Sequence, residues 1–153
     1  MKIYKPKFWD SEYSVIAILL TPITLIVILI IFFKKIFTRT IKFNIPIICI
    51  GNIYIGGTGK TPTSIYIAQE LLKIGKKPAI LRKFYKEHKD EHKLIKENFK
   101  NLILNKNRSA GILEAEKMDF DMVILDDGFQ DYKIKKNLNI LCFNQNQLIG
   151  NGY

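Results

Sequence analysis

Residues 51–62 read GNIYIGGTGKTP, and the fold follows from what flanks them. Upstream, Ile45 to Ile50 (IPIICI) is a short apolar run of the kind that forms a buried strand. Downstream, Pro62 to Ile74 reads as a helix. It has Pro in a first-turn position, apolar Ile65, Ile67, Ala68, Leu71 and Leu72, and Gly75 just past its end. A glycine-rich turn between a strand and a helix lets successive backbone N–H groups face inward around a polyphosphate. Gly56, Gly57 and Gly59 permit that turn. Lys60 can reach the β- and γ-phosphates, Thr61 can offer its hydroxyl to Mg²⁺, and the helix N-terminus adds its dipole. The expected nucleotide contacts are therefore Tyr54, Ile55, Gly56, Gly57, Thr58, Gly59, Lys60 and Thr61. The strict G-x-x-x-x-G-K-S/T pattern would place glycine at Tyr54. A chance glycine turn ending in GKT is the competing reading, and the strand and helix around it weigh against that.

A phosphate loop needs an acid at the end of a neighbouring apolar strand, acting on Mg²⁺ directly or through water. MVILDDGFQ supplies one: Asp126 and Asp127 follow four apolar residues, and Gly128 allows a sharp exit. Alone, Asp-Asp-Gly after a strand is an ordinary turn. About 65 residues after GKT, it reads as the metal side of the same site.

The remaining pattern alternates strands and helices. Pro78 to Leu81, Leu102 to Leu104, Met122 to Leu125 and Leu138 to Phe143 are expected strands. Asp90 to Phe99 and Lys106 to Lys117 are expected helices. Such alternation predicts an α/β fold, a P-loop three-layer α/β/α domain with a mostly parallel sheet. Cys49 and Cys142 fall inside apolar runs and read as buried strand thiols.

The N-terminal region differs in kind. Tyr13 to Phe33 carries no charged side chain for 21 residues. As a helix it would be about 30 Å long, the thickness of a bilayer core. Pro22 has Thr21 and Thr24 beside it, and a membrane helix tolerates proline where hydroxyls take up the freed carbonyl. Phe8, Trp9 and Tyr13 stand at one end, and Lys34, Lys35, Arg39 and Lys42 at the other. A cleaved signal would want a shorter apolar core and a small-residue site, whereas this run ends in IIFFKK. A helix lying on the membrane or packed on the protein is the other alternative. The division expected is residues 1–40 as tail, membrane helix (about 13–33) and basic juxtamembrane segment, and 41–153 as the P-loop domain.

Composition narrows the class. The chain has 153 residues, 24 Lys+Arg against 14 Asp+Glu, and a formal net charge of +10. Its 48% hydrophobic content excludes a disordered polyelectrolyte, and two cysteines exclude a disulfide scaffold. The charge suits a nucleic acid, an anionic membrane or a phosphorylated ligand. No zinc signature or stacking-aromatic motif supports nucleic acid, and the lysines are scattered. With 21 Lys, 3 Arg and 27 Ile, AT-rich coding explains much of the excess.

Together, GNIYIGGTGKTP and VILDDGFQ resemble the tetraacyldisaccharide 4′-kinases, the lipid A 4′-kinases of Gram-negative bacteria. That family has a hydrophobic N-terminal helix and also lacks glycine at the position of Tyr54. The resemblance runs from about Phe8 to Tyr153. It implies transfer of the γ-phosphate of ATP, with Mg²⁺, to the 4′-hydroxyl of a lipid-linked glucosamine disaccharide. The place implied is the cytoplasmic face of the bacterial inner membrane, with its anionic inner leaflet. It calls for no nucleic acid and no protein partner. It assigns phosphate and metal roles to Lys60 and Thr61, and metal roles to Asp126, Asp127 and Gln130. A catalytic Asp in a family G-D-E-P segment matches Asp90 in KDEH. The S-R-G-Y-G stretch that usually precedes it is here LRKFY, which keeps only Arg82 and an aromatic position. The competing role for Asp90 is a helix N-cap. His88 and His92 read as solvated, because the family's catalytic His comes from a later domain. The family is roughly twice this length, so the chain reads as an N-terminal part whose P-loop domain is cut short at its C-terminal end. Nucleotide binding with little turnover is the expectation. The rival within this reading is another membrane-associated P-loop ATPase of assembly or transport type.

Overall fold

The computed structural model describes residues 15–52, 58–85, 89–143 and 145. A long helix, α1 (Val15–Phe37), leads into alternating β1 (Ile47–Gly51), α2 (Lys60–Lys73), β2 (Pro78–Lys83), α3 (Lys89–Asn98), β3 (Leu102–Asn105), α4 (Arg108–Lys117), β4 (Met122–Asp126) and β5 (Leu138–Leu141). The five strands form one sheet in the order β3-β2-β4-β1-β5, and every pairing is parallel. Every expected strand and helix is present, with ends shifted by a residue or two. The exception is α1, which extends four residues past Phe33 through Lys34 and Lys35.

Both faces of the sheet are covered, because the central strands β1, β2 and β4 are apolar on both sides, while the edge strand β5 is largely exposed. Ile47, Cys49, Ala79, Leu81, Val123 and Leu125 meet Ile112 and Ala115 of α4 on one face. Ile50, Ile80 and Ile124 meet Ile65 and Ala68 of α2 and Ile95 of α3 on the other. Adjacent strand residues point to opposite faces, so IICI and MVIL feed both cores at once. Cys49 and Cys142 are buried free thiols.

The insertion of β4 between β1 and β2 positions the site. It sets Ile50 in register with Asp126 on one side and Arg82 with Asp126 on the other. The C-terminal ends of three strands thus converge, the place where open parallel sheets bind ligands.

Helix α1 contains a 20-residue stretch, Ile18–Phe37, long and apolar enough to cross a membrane, and none of it is buried against the protein. Thr24 donates to the Leu20 carbonyl at 3.2 Å. Pro22 frees the carbonyl of Ile18 instead, so this hydroxyl serves the wrong carbonyl for the role expected of it. Below α1, Ile41 pairs with Ile134 in an isolated parallel bridge. Its N–H donates to the Lys133 carbonyl at 2.7 Å, and its carbonyl accepts from Lys135 N–H at 2.9 Å. The apolar helix is thereby tied to the segment that follows DDGFQ.

Candidate functional site

Gly59 enters α2 with φ 80°, a left-handed conformation open to glycine at no steric cost. Its carbonyl accepts from Thr63 N–H at 3.0 Å, which starts the helix. Lys60 and Thr61 are the first two residues of α2, and their side chains reach toward the strand ends. Tyr54, Ile55, Gly56 and Gly57 lie outside the described residues, as does His88.

Asp126 is the centre of the site. Its side chain is wholly buried at the end of β4. Thr61 Oγ1 donates to its Oδ2 at 3.1 Å, and Ser64 Oγ to its Oδ1 at 3.2 Å. Arg82 also contacts Oδ2 through Nη1, which lies 3.1 Å from Thr61 Oγ1 as well. The other arm of Arg82 pairs with the Glu91 carboxylate in the first turn of α3. A buried carboxylate persists only with such partners.

Lys60 Nζ lies 2.8 Å from Asn52 Oδ1 and 3.6 Å from Asp127 Oδ1. Asp127 is half exposed and left-handed, at φ 63°. Its N–H donates to the Ile50 carbonyl at 2.8 Å, so the acidic pair turns back over the end of β1. The two motifs touch directly. A Cβ placed on Gly51 would lie 2.1 Å from Cδ2 of Phe129. Glycine at the end of β1 thus makes room for the Phe of DDGFQ.

The structure brings Lys60, Thr61, Asp126 and Asp127 together. Gln130 is exposed and, with Asp127, lines a cavity of about 650 Å³. The cavity lies between the end of α1 (Lys34 and Thr38), the β3–α4 junction (Lys106 to Ser109) and Asp127 to Lys133. Its lining carries Lys34, Lys83, Lys106, Arg108 and Lys133 against Asp127 and Asp131, so it is net basic. Arg108 donates to the Asp127 carbonyl and lies 3.9 Å from Asp131, while its Nε is buried with no hydrogen-bond partner among the described residues.

Asp90 lies exposed in the first turn of α3, which begins at Lys89, so it is not the N-cap. Its neighbour Glu91 makes the contact with the site. His92, expected in solvent, is buried and stacks on Phe84 with ring centroids 5.7 Å apart. The reason is helical spacing: His92, Ile95 and Phe99 share one face, and Ile95 and Phe99 are core residues. Arg82, Ser64, Asn52 and Glu91 were not picked out for the site from the sequence. Ser64 was within reach, because position i+3 from Thr61 falls on the same face of α2. Nearby, burial pushes the Cys49 thiol up and the Lys136 ammonium down from their ordinary values. Lys136 Nζ donates to the Phe129 carbonyl at 3.1 Å and so steadies the same turn.

The chain is similar to known proteins in both sequence and fold. The profile of the family described as tetraacyldisaccharide-1-P 4′-kinase matches residues 16–153. A tetraacyldisaccharide 4′-kinase of Pelagibacter ubique is 44% identical over 99% of this chain and 48% of its own. One from Aliarcobacter butzleri is 36% identical over 88% of this chain and 48% of its own. The fold is similar to a crystal structure of LpxK from Aquifex aeolicus in complex with ATP. The TM-score is 0.68 at 31% identity, covering 83% of this chain and 49% of that one. The chain spans about half the length of the curated relatives it matches.

Proposed function

Because the chain belongs to the tetraacyldisaccharide-1-P 4′-kinase family, we propose that it binds Mg²⁺ and ATP at the β1–α2 loop and serves phosphoryl transfer to the 4′-hydroxyl of a tetraacyl glucosamine disaccharide 1-phosphate. The observation that carries this is the Thr61–Asp126 contact: a helix-N-terminal hydroxyl 3.1 Å from a buried carboxylate on the adjoining strand, with Lys60 alongside. The Aquifex relative's complex with ATP supports nucleotide binding by this fold.

The donor set fits Mg²⁺. Among the described residues no three His, Cys, Asp or Glu side chains converge into an all-protein cage. Mg²⁺ characteristically takes one or two carboxylates, waters and substrate phosphates instead. Thr61, Asp126 and Asp127 would hold it, with Gln130 on the cavity that Asp127 also lines. When bound, it neutralises charge on the β- and γ-phosphate oxygens. Thr58 Oγ1 is buried with no hydrogen-bond partner among the described residues, as suits a hydroxyl that meets a phosphate oxygen. Lys60 exchanges Asn52 and Asp127 for the phosphates, which keeps its charge paired throughout.

For the acceptor, the basic cavity takes the anionic headgroup, and the orphaned Arg108 Nε marks one donor for it. Uncovered α1 supports a substrate whose acyl chains stay in a bilayer, and on this reading the α/β domain works on the cytoplasmic side of the inner membrane. Asp90, exposed one residue before the anchored Glu91, is the proposed base for the 4′-hydroxyl proton. The test uses the chain in detergent micelles with γ-labelled ATP, Mg²⁺ and the tetraacyl disaccharide 1-phosphate. Weak labelling of the lipid is expected, because the chain spans about half the length of its relatives. ATP hydrolysis indifferent to the acceptor, with no labelled lipid, overturns the kinase reading in favour of an ATPase.

A further inference from the structure

We propose that Arg82 is a positioning residue that holds the metal-binding atoms in the ion's stead and releases them when the ion arrives. This rests on the reading of Thr61 and Asp126 as metal-binding groups.

The argument begins with shared atoms. Arg82 Nη1 contacts both Thr61 Oγ1 and Asp126 Oδ2, the two atoms the Mg²⁺ reading requires. Ser64 Oγ lies 3.2 Å from the other oxygen, Oδ1, and shares its proton with the Lys60 carbonyl at 3.0 Å, so Oδ2 is the oxygen that Arg82 occupies. Arg82 cannot lie far off, because its backbone is in register with Asp126 on the neighbouring strand and its side chain is buried. A guanidinium and a divalent cation on the same two oxygens repel each other at short range in a poorly hydrated site. One must yield, and the fork of Arg82 has somewhere to go. Its second arm already reaches Glu91 on α3, whose carboxylate is about half exposed. A lysine's three N–H donors leave a single nitrogen, so it could not engage Asp126 and Glu91 through two separate arms as the guanidinium fork does.

Without the ion, Arg82 neutralises a carboxylate that would otherwise be buried and unpaired. With the ion, Arg82 shifts its weight onto Glu91. Since Glu91 stands next to Asp90 in the first turn of α3, loading of the metal and the placement of that turn are linked.

The test measures Mn²⁺ binding to the full chain in detergent, without nucleotide, from the electron paramagnetic resonance signal of free Mn²⁺. Arg82→Gln removes the competing cation and should tighten Mn²⁺ by about tenfold or more. Glu91→Gln removes the second anchor, leaves Arg82 wholly on Asp126, and should weaken Mn²⁺ by about threefold or more. Opposite signs from the two ends of one ion pair are not what loss of a structural contact produces. Unchanged or weaker binding in Arg82→Gln, or a shift in the same direction for both, overturns the proposal. If Arg82→Gln does not fold, Glu91→Gln decides: weaker binding supports the proposal, and unchanged or tighter binding overturns it. Asp126→Asn separates the two layers. If it binds Mn²⁺ like the native chain, the metal-site reading itself fails; if it binds weakly while Arg82→Gln is no tighter, only the role of Arg82 fails.

Discussion

Gly51→Ala should break the joint between the two motifs. The added methyl would lie 2.1 Å from Cδ2 and 2.6 Å from Cε2 of Phe129, so the ring must retreat by roughly 1 Å or more to reach ordinary contact. It has little freedom to do so. Phe129 packs against the Ile47–Leu125 core, and its carbonyl accepts from Lys136. Overpacking of this kind costs about 1–3 kcal/mol, which lowers Tm by roughly 5–15 °C for a domain of this size. Thermal unfolding followed by near-ultraviolet circular dichroism, on the whole chain in detergent, measures it. A double-mutant cycle identifies the cause. Phe129→Ala should cost at least about 1 kcal/mol less in the Gly51→Ala background than alone, because the methyl occupies space the ring vacates. A Gly51→Ala variant melting with the native protein, or strict additivity of the pair, would refute the reasoning.

Lys60→Ala should weaken ATP by about tenfold or more, the worth of a charge-assisted contact to phosphate. Unchanged affinity by titration calorimetry removes the loop assignment. Asn107 caps α4, its Oδ1 accepting from Ser109 N at 2.9 Å and Ala110 N at 3.4 Å. Asn107→Ala should therefore cost about 0.5–2 kcal/mol in urea unfolding, and a midpoint equal to the native one counts against the cap. The Cys49 thiol is held above its ordinary value of 9.0 by burial. Just above pH 9.0 the unfolded chain loses this proton while the folded chain keeps it, so the folded state binds more protons and stability falls as pH rises. Urea midpoints compared between pH 8 and pH 10 (chosen to bracket about 9) should fall less in Cys49→Ala than in the native chain, and identical falls would be the contrary result.

Much of the site was legible because each motif is local. GGTGKT is contiguous, and so is VILDD, and each sits at the end of an apolar strand that announces itself. What could not be read was who stands beside whom. Arg82 follows the expected strand Pro78 to Leu81, and nothing beside it in the sequence gives it a partner. Its meaning comes from β4 sliding between β1 and β2, which sets it against Asp126. Likewise the motif match in KDEH points to Asp90 and is silent on Glu91. The pitch of α3 turns Glu91 toward Arg82 and leaves Asp90 exposed. The absence of a catalytic role for His92 does not put it in solvent: its spacing from Ile95 and Phe99 buries it.

The sequence by itself determined the α/β class, the strand and helix order, the apolar N-terminal helix and the identity of the phosphate and acid motifs. These rest on periodicity, turn residues and contiguous patterns, which are properties of neighbours along the chain. Only the tertiary structure decided the strand order, the charge network of Arg82, Asp126 and Glu91, the meeting of Gly51 with Phe129, and the basic cavity between α1 and the acid turn. These join residues separated by 9 (Arg82 to Glu91) to 99 positions (Lys34 to Lys133), and no local pattern specifies such pairings. They are set by which faces bury together, and a buried carboxylate then takes whatever cation the packing brings beside it.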